Sequence, residues 1–299
     1  MSDLFPDVVA EGLSYLEGPR WHDDRLFASD FYTHQVLAFS VRHGVEIVAS
    51  VPNQPSGLGF LPDGRLLIVS MRDRKVLRRE EDGTLVEHAD LNPYATWHAN
   101  DMVVDAEGRA YVGNFGFDLM GGGDPAPAAL LRVDLDGSVT VAAEDLLFPN
   151  GMVITDDGHT LIVAESLGQR LTAFDVAADG TLSNRRVWAA FGDPPTATTA
   201  AEALAQIKVA PDGICLDAEG AVWAADAFGN RAIRVREGGE IVAEVSTVDF
   251  GIYACMLGGK DGRTLYLCAA PTFHEAEAAA DHRARLLACQ VEVPHAGRP

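Results

Sequence analysis

The sequence predicts an all-β protein, a six-bladed β-propeller, and three observations carry that expectation. One pattern recurs six times along the 299 residues. Each copy turns at an Asp/Gly pair or its equivalent, the signature of a tight hairpin. The apolar runs alternate or are short and β-branched, which suits strands and excludes coiled coils and helical solenoids.

The six copies read EGPRWHDDRLFASD from Glu17, SGLGFLPDGRLLIVS from Ser56, NDMVVDAEGRAYVGN from Asn100, NGMVITDDGHTLIVAE from Asn150, DGICLDAEGAVWAAD from Asp212 and YACMLGGKDGRTLYLCA from Tyr253. Their starts lie 39, 44, 50, 62 and 41 residues apart, the size of a propeller blade. Further strand-like runs follow the hairpins: QVLAFSV, KVLRREEDG, LLRVDLDG, RLTAFDVAADG and RAIRVREGG. That gives about four strands per repeat, and the unbroken succession predicts one propeller domain over 1–299. Three segments interrupt the regular spacing. The Gly- and Pro-rich 117–129 reads as a loop, 189–212 contains a short helix after Thr199, and the polar 274–285 precedes the closing strand RLLACQVEV. The first two are expected over one mouth of the channel.

Composition narrows the partners. Acidic residues outnumber basic ones 44 to 23, for a formal charge of −21 spread along the chain. Such a surface repels nucleic acid and anionic lipid and attracts cations. No apolar run approaches the roughly 18 residues of a membrane span. The N-terminal MSDLFPDVVAEG has no basic region ahead of an apolar one, so a cytoplasmic protein is expected. Cys215, Cys255, Cys268 and Cys289 form no CxxC pair and read as buried free thiols. Composition leaves the oligomeric state open.

In a propeller, equivalent positions of every blade lie on a ring around the axis. If the first strand of each copy is innermost, Glu17, Ser56, Asn100, Asn150, Asp212 and Tyr253 face one another across the channel, with Asp101 beside Asn100. Two carboxylates and two amide oxygens are hard ligands suited to Ca2+, Mg2+ or Mn2+, and the ring lacks the Cys/His set of structural zinc. Asx-Gly pairs also serve as backbone turns, but Glu17 is a poor turn former and shares the register of Asn150 and Asp212. A central metal-binding channel is therefore expected.

The motifs LEGPRW, HANDMVVDAEGRAYVGN, FPNGMVITDDGHTLIVAES, PDGICLDAEGAVWAAD and GNRAIRV, in this order over nearly the whole chain, resemble the senescence marker protein/regucalcin/gluconolactonase family. The resemblance implies a divalent ion held by Glu17, Asn150 and Asp212, with Asn100 beside it touching substrate. Ca2+ is the first expectation, with Zn2+, Mn2+, Mg2+ and Fe2+ as alternatives. It also implies lactone hydrolysis, an aldonolactone foremost. Two departures concern the substrate: His98 stands where family lactonases often carry Arg, and Asp118 aligns only approximately with an acidic loop residue.

The expected chemistry is polarisation of a lactone carbonyl by the ion and attack by water on a base. Asp212 is the first candidate base and Asp101 the alternative. His98, Phe117 and Tyr253 are candidate substrate contacts, within a wider aromatic set of Phe31, Tyr32, Trp97, Phe115 and Phe228. Ser56 and Ser166 lack the G-x-S-x-G setting of a serine hydrolase. The competing readings are a propeller that binds a metal or ligand without catalysis, and a related metal-dependent phosphotriesterase or arylesterase.

Overall fold

A computed structural model, describing residues 5–298, arranges the chain as six antiparallel sheets around an axis. Five blades are built from consecutive strands, beginning at Leu16–His22, Pro55–Phe60, Ala99–Val104, Pro149–Ile154 and Pro211–Asp217. The sixth takes its three inner strands, Gly251–Gly258, Thr264–Ala270 and Ala284–Gln290, from the end of the chain. Its outermost strand is Asp7–Leu13, from the beginning, paired antiparallel with Ala284–Gln290. Chain start and chain end thus close the ring with main-chain hydrogen bonds. The tail returns beneath the fifth blade, where His295–Ala296 pairs with Leu216 and Asp217, and Arg298 bridges to Ile154 of the fourth.

The hairpins follow the residue types. Gly64, Gly108, Gly158 and Gly220 have φ between 74° and 86°, the left-handed region that glycine enters without a Cβ clash. In the first blade Asp23 and Asp24 take that region instead, at φ 47° and 58°.

The core lies between blades. Leu58 and Ile68 of the second blade pack on Phe27 and Val36 of the first, and Val153 and Ile162 of the fourth pack on Ile214 and Val222 of the fifth. Near the axis the inner strands approach more closely than side chains allow. A Cβ added to Gly57 would lie 2.5 Å from Met102 N, one on Gly151 2.5 Å from Asp212 O, and one on Gly213 2.4 Å from Ala254 Cβ. The Asx-Gly and Ser-Gly pairs opening these repeats are therefore strand residues at a close backbone approach, and not turns.

Helix Ala200–Leu204 follows Thr199 as expected, and 274–285 contributes a second helix, Glu275–Asp281. No helix among the described residues is long and apolar enough to cross a membrane.

Candidate active site

Every inner strand carries an irregularity of register at its opening residue. It falls between Glu17 and Arg20, Pro55 and Leu58, Ala99 and Met102, Pro149 and Met152, Pro211 and Ile214, and Ile252 and Ala254. One extra residue there breaks the in-out alternation, which is how a bulge re-aims a side chain. The opening residues Glu17, Asn100, Asn150, Asp212 and Tyr253 consequently line one cavity at the axis, together with Ser166 and Tyr15.

Each of the three blades bearing Glu17, Asn150 and Asp212 holds its strand entry with a buried carboxylate from the end of its second strand. Asp30 Oδ1 accepts from Tyr15 N at 2.9 Å, Glu165 Oε2 from Leu147 N at 2.7 Å, and Asp226 Oδ1 from Ala210 N at 3.2 Å. The amides they hold, of Tyr15, Leu147 and Ala210, sit two or three residues ahead of the opening side chains, so these carboxylates fix the backbone that aims them. Sequence reasoning passed over all three, although ASD, VAE and AAD end the respective repeats at the same place.

At the cavity floor the polar atoms are unevenly satisfied. Asn150 Nδ2 donates to Ser166 Oγ at 3.1 Å, and Ser166 Oγ donates to Pro211 O at 2.7 Å. This turns the amide oxygen of Asn150 away from Ser166. Glu17 Oε2 accepts from Gly18 N at 3.2 Å, and its Oε1 stands 3.5 Å from the Tyr15 hydroxyl. Asn100 Oδ1 accepts from Ser56 Oγ at 3.4 Å, while Asn100 Nδ2 and Asp212 Oδ1 are buried without a protein partner. Burial, then the charges of Asp212 and Asp101, push the Glu17 carboxyl well above the usual range. Burial, then Asp101, does the same to Asp212. Two crowded carboxyls, an amide oxygen and an orphaned Asp212 oxygen fit a hard divalent cation, which would relieve both the repulsion and the missing bond. Among the described residues no three His, Cys, Asp or Glu side chains cluster as a metal set, as the set here has two carboxylates and otherwise amides.

The other sequence candidates fall in different places. Asp101 is buried next to the floor, with Oδ1 accepting from Arg20 Nη2 and from its own neighbour Met102 N, both at 2.8 Å. His98 stacks on Trp97 with ring centroids 5.2 Å apart and lies outside the cavity lining. Phe117 packs against Leu167 and Ala200 behind the wall. Asp118 accepts from Gly121 N at 2.7 Å within its own loop. Tyr253 lines the cavity and packs at a tilt against Tyr15, with centroids 4.8 Å apart. Of the wider aromatic set, Phe31, Tyr32, Phe115 and Phe228 are wall residues. Phe148, the first residue of the FPNG motif, joins them, as do Tyr15 and Phe273, which no motif announced. The first two interrupting segments do meet at this mouth, through Leu119 and Met120 and through Leu204, and Phe273, just ahead of the third, joins them.

Known proteins share this architecture. A calcium-binding regucalcin from Agrobacterium tumefaciens superposes with a TM-score of 0.78 at 20% identity, over 100% of this chain and 99% of that one. The chain is 25% identical to 6-deoxy-6-sulfogluconolactonase of Pseudomonas putida, covering 100% of this chain and 99% of that protein. It is 26% identical to a pentonolactonase of Haloferax volcanii over 85% of this chain and 81% of that protein. With the model of the SMP-30/gluconolactonase/LRE-like region matching residues 16–271, through five blades and into the sixth, the chain belongs to that family.

Proposed function

We propose that this protein hydrolyses the ester bond of a lactone at the floor of its central cavity, with one divalent ion, Ca2+ foremost, held by Glu17, Asn150 and Asp212. The observation that carries the reading is the convergence on one buried floor of two carboxyls, an amide oxygen and an unpartnered amide N–H, each from a different blade. Relatives named for lactone hydrolysis, on a pentonolactone and a sulfogluconolactone, support the reaction class.

The ion, when bound, supplies positive charge against the oxygen of the ester carbonyl. The chain's own groups do the remainder. Asn100 Nδ2, buried and free of a protein partner, donates to that oxygen as negative charge grows on it; such a preset donor is worth about 3 kcal/mol in the transition state. Asp212 Oδ1 faces the same space without a protein partner, which places it to take a proton from attacking water. Asp101 serves this role less well, because Arg20 and Met102 N occupy its Oδ1. The aromatic wall and the meeting loops limit competing water.

The test is hydrolysis of a lactone panel, followed as acid release at constant pH. Chelator-treated protein should be inactive and should recover when Ca2+ is restored. Undiminished turnover after complete removal of divalent ions would refute the ion's part, and no turnover of any lactone would refute the activity.

A further inference from the structure

The walls above the floor say what kind of ring fits, provided the lactonase reading holds. Phe31, Phe115, Phe148, Phe228 and Phe273 carry no hydrogen-bonding side-chain group, and neither do the loop residues Leu119, Met120 and Leu204. Of the polar groups interspersed with them, the Tyr253 hydroxyl makes no hydrogen bond among the described residues and the others are engaged. The Tyr32 hydroxyl donates to Phe273 O at 2.6 Å, and the Tyr15 hydroxyl is turned to Glu17. Ser166 Oγ accepts from Asn150 and donates to Pro211 O. Among the described residues no Arg, Lys, His or Gln lines the cavity, and the side chains best suited to grip hydroxyls from nearby loops are engaged elsewhere. His98 is stacked on Trp97, Asp118 caps its own turn, and Arg72 binds Gln54 and Glu275 at 2.6 and 2.7 Å.

A polyhydroxylated ring entering such a cavity would lose water from each hydroxyl and find a partner for few of them. Every buried hydroxyl left unpaired weakens binding by about tenfold to a hundredfold. An aryl or alkyl ring gains from the same burial, and a flat aromatic face can stack on the phenylalanines.

We infer that the substrate is a lactone of low polarity, its carbonyl held at the floor by the Asn100 N–H beside the ion site of Glu17, Asn150 and Asp212, and its aryl or alkyl body held by the phenylalanine and leucine walls. Specificity on this account resides in three loops. The loop after the third blade's second strand brings Leu119 and Met120, the helix Ala200–Leu204 brings Leu204, and the segment before Glu275–Asp281 brings Phe273.

Two measurements on the Ca2+-loaded full chain separate this inference from the activity beneath it. The first compares kcat/KM for dihydrocoumarin and for gluconolactone, each corrected for spontaneous opening. The expected ratio favours dihydrocoumarin at least tenfold. The second uses calorimetry with the corresponding lactams, dihydrocarbostyril and gluconolactam, which resist opening and report binding alone; dihydrocarbostyril should bind at least tenfold more tightly. Preference for gluconolactone, or tighter binding of gluconolactam, would overturn the low-polarity assignment and leave lactone hydrolysis standing. Tight dihydrocarbostyril binding with neither lactone opened would do the reverse. Met120→Gln and Leu204→Gln, at the rim where folding is not at risk, should each narrow the turnover ratio threefold or more. A ratio that neither moves would overturn the assignment of specificity to these walls.

Discussion

Arg20 of the first blade donates from Nη2 to Oδ1 of Asp101 in the third at 2.8 Å, a buried ion pair spanning the second blade beneath the cavity floor. The same nitrogen donates to Met102 O, and Arg20 Nη1 to Pro19 O at 2.7 Å. Removing one member of such a pair strands the other charge out of water. Arg20→Met should therefore cost about 3–5 kcal/mol of stability. The double variant Arg20→Met/Asp101→Leu should lose less than the sum of the single losses, as a cycle of denaturant midpoints will reveal.

Asp212→Ala and Asn150→Ala should each weaken Ca2+ binding at least tenfold while the protein remains folded, because the interblade core carries stability and these side chains face an open cavity. Calorimetric titration with Ca2+ and circular dichroism together check both halves. Asp226→Asn should weaken Ca2+ binding by a smaller factor than Asp212→Ala, since Asp226 acts through the backbone of Ala210 and keeps an acceptor oxygen in the amide.

The raised carboxyls of Glu17 and Asp212 set a pH dependence for the ion-free protein. A carboxyl whose folded pKa lies above its unfolded value keeps a proton that the unfolded chain surrenders. Its contribution to stability is complete below about pH 4, the unfolded range, and is lost as pH rises through the folded values. The midpoint of thermal unfolding in chelator should fall as pH rises above the unfolded carboxyl range, and Asp212→Asn should flatten the fall. Saturating Ca2+ should reverse the trend, because the ion displaces those protons and binds better as pH rises.

The choice of base is open to a direct comparison. With Asp212 as base, Asp212→Asn at full metal occupancy should lose the rising limb of the pH–rate profile, whereas Asp101→Asn should keep it and lower kcat mainly through the loosened Arg20 contact. Retention of the limb in the Asp212 variant and its loss in the Asp101 variant would exchange the two roles.

Replacing 193–206 with a tight linker should alter the relative rates on different lactones by severalfold and leave Ca2+ affinity within about twofold, since Leu204 reaches the wall but no residue of that segment reaches the floor. Rates on the panel and calorimetry with Ca2+ measure the two effects separately. An equal loss on every substrate would assign the segment a structural role instead.

The sequence by itself determined the blade count and the ring of opening residues. Six copies of a period near forty residues with turn pairs at a fixed offset permit few other folds, and that register is local information. It could not determine how the ring closes, because the pairing of Asp7–Leu13 with Ala284–Gln290 joins segments that share no repeat spacing. That Asn100 and Asp101 point apart follows from adjacent positions on an extended strand, but the sequence could not name Arg20, 81 residues away, as the partner of Asp101. The Gly of each Asx-Gly pair is ambiguous as text, since turns and close backbone approach both favour it; only the neighbouring blade decides between them. The same holds for the wall. Tyr15 and Phe273 belong to no motif, and they became cavity residues, beside Leu119, Met120 and Leu204 of the interrupting segments, through packing between distant parts of the chain.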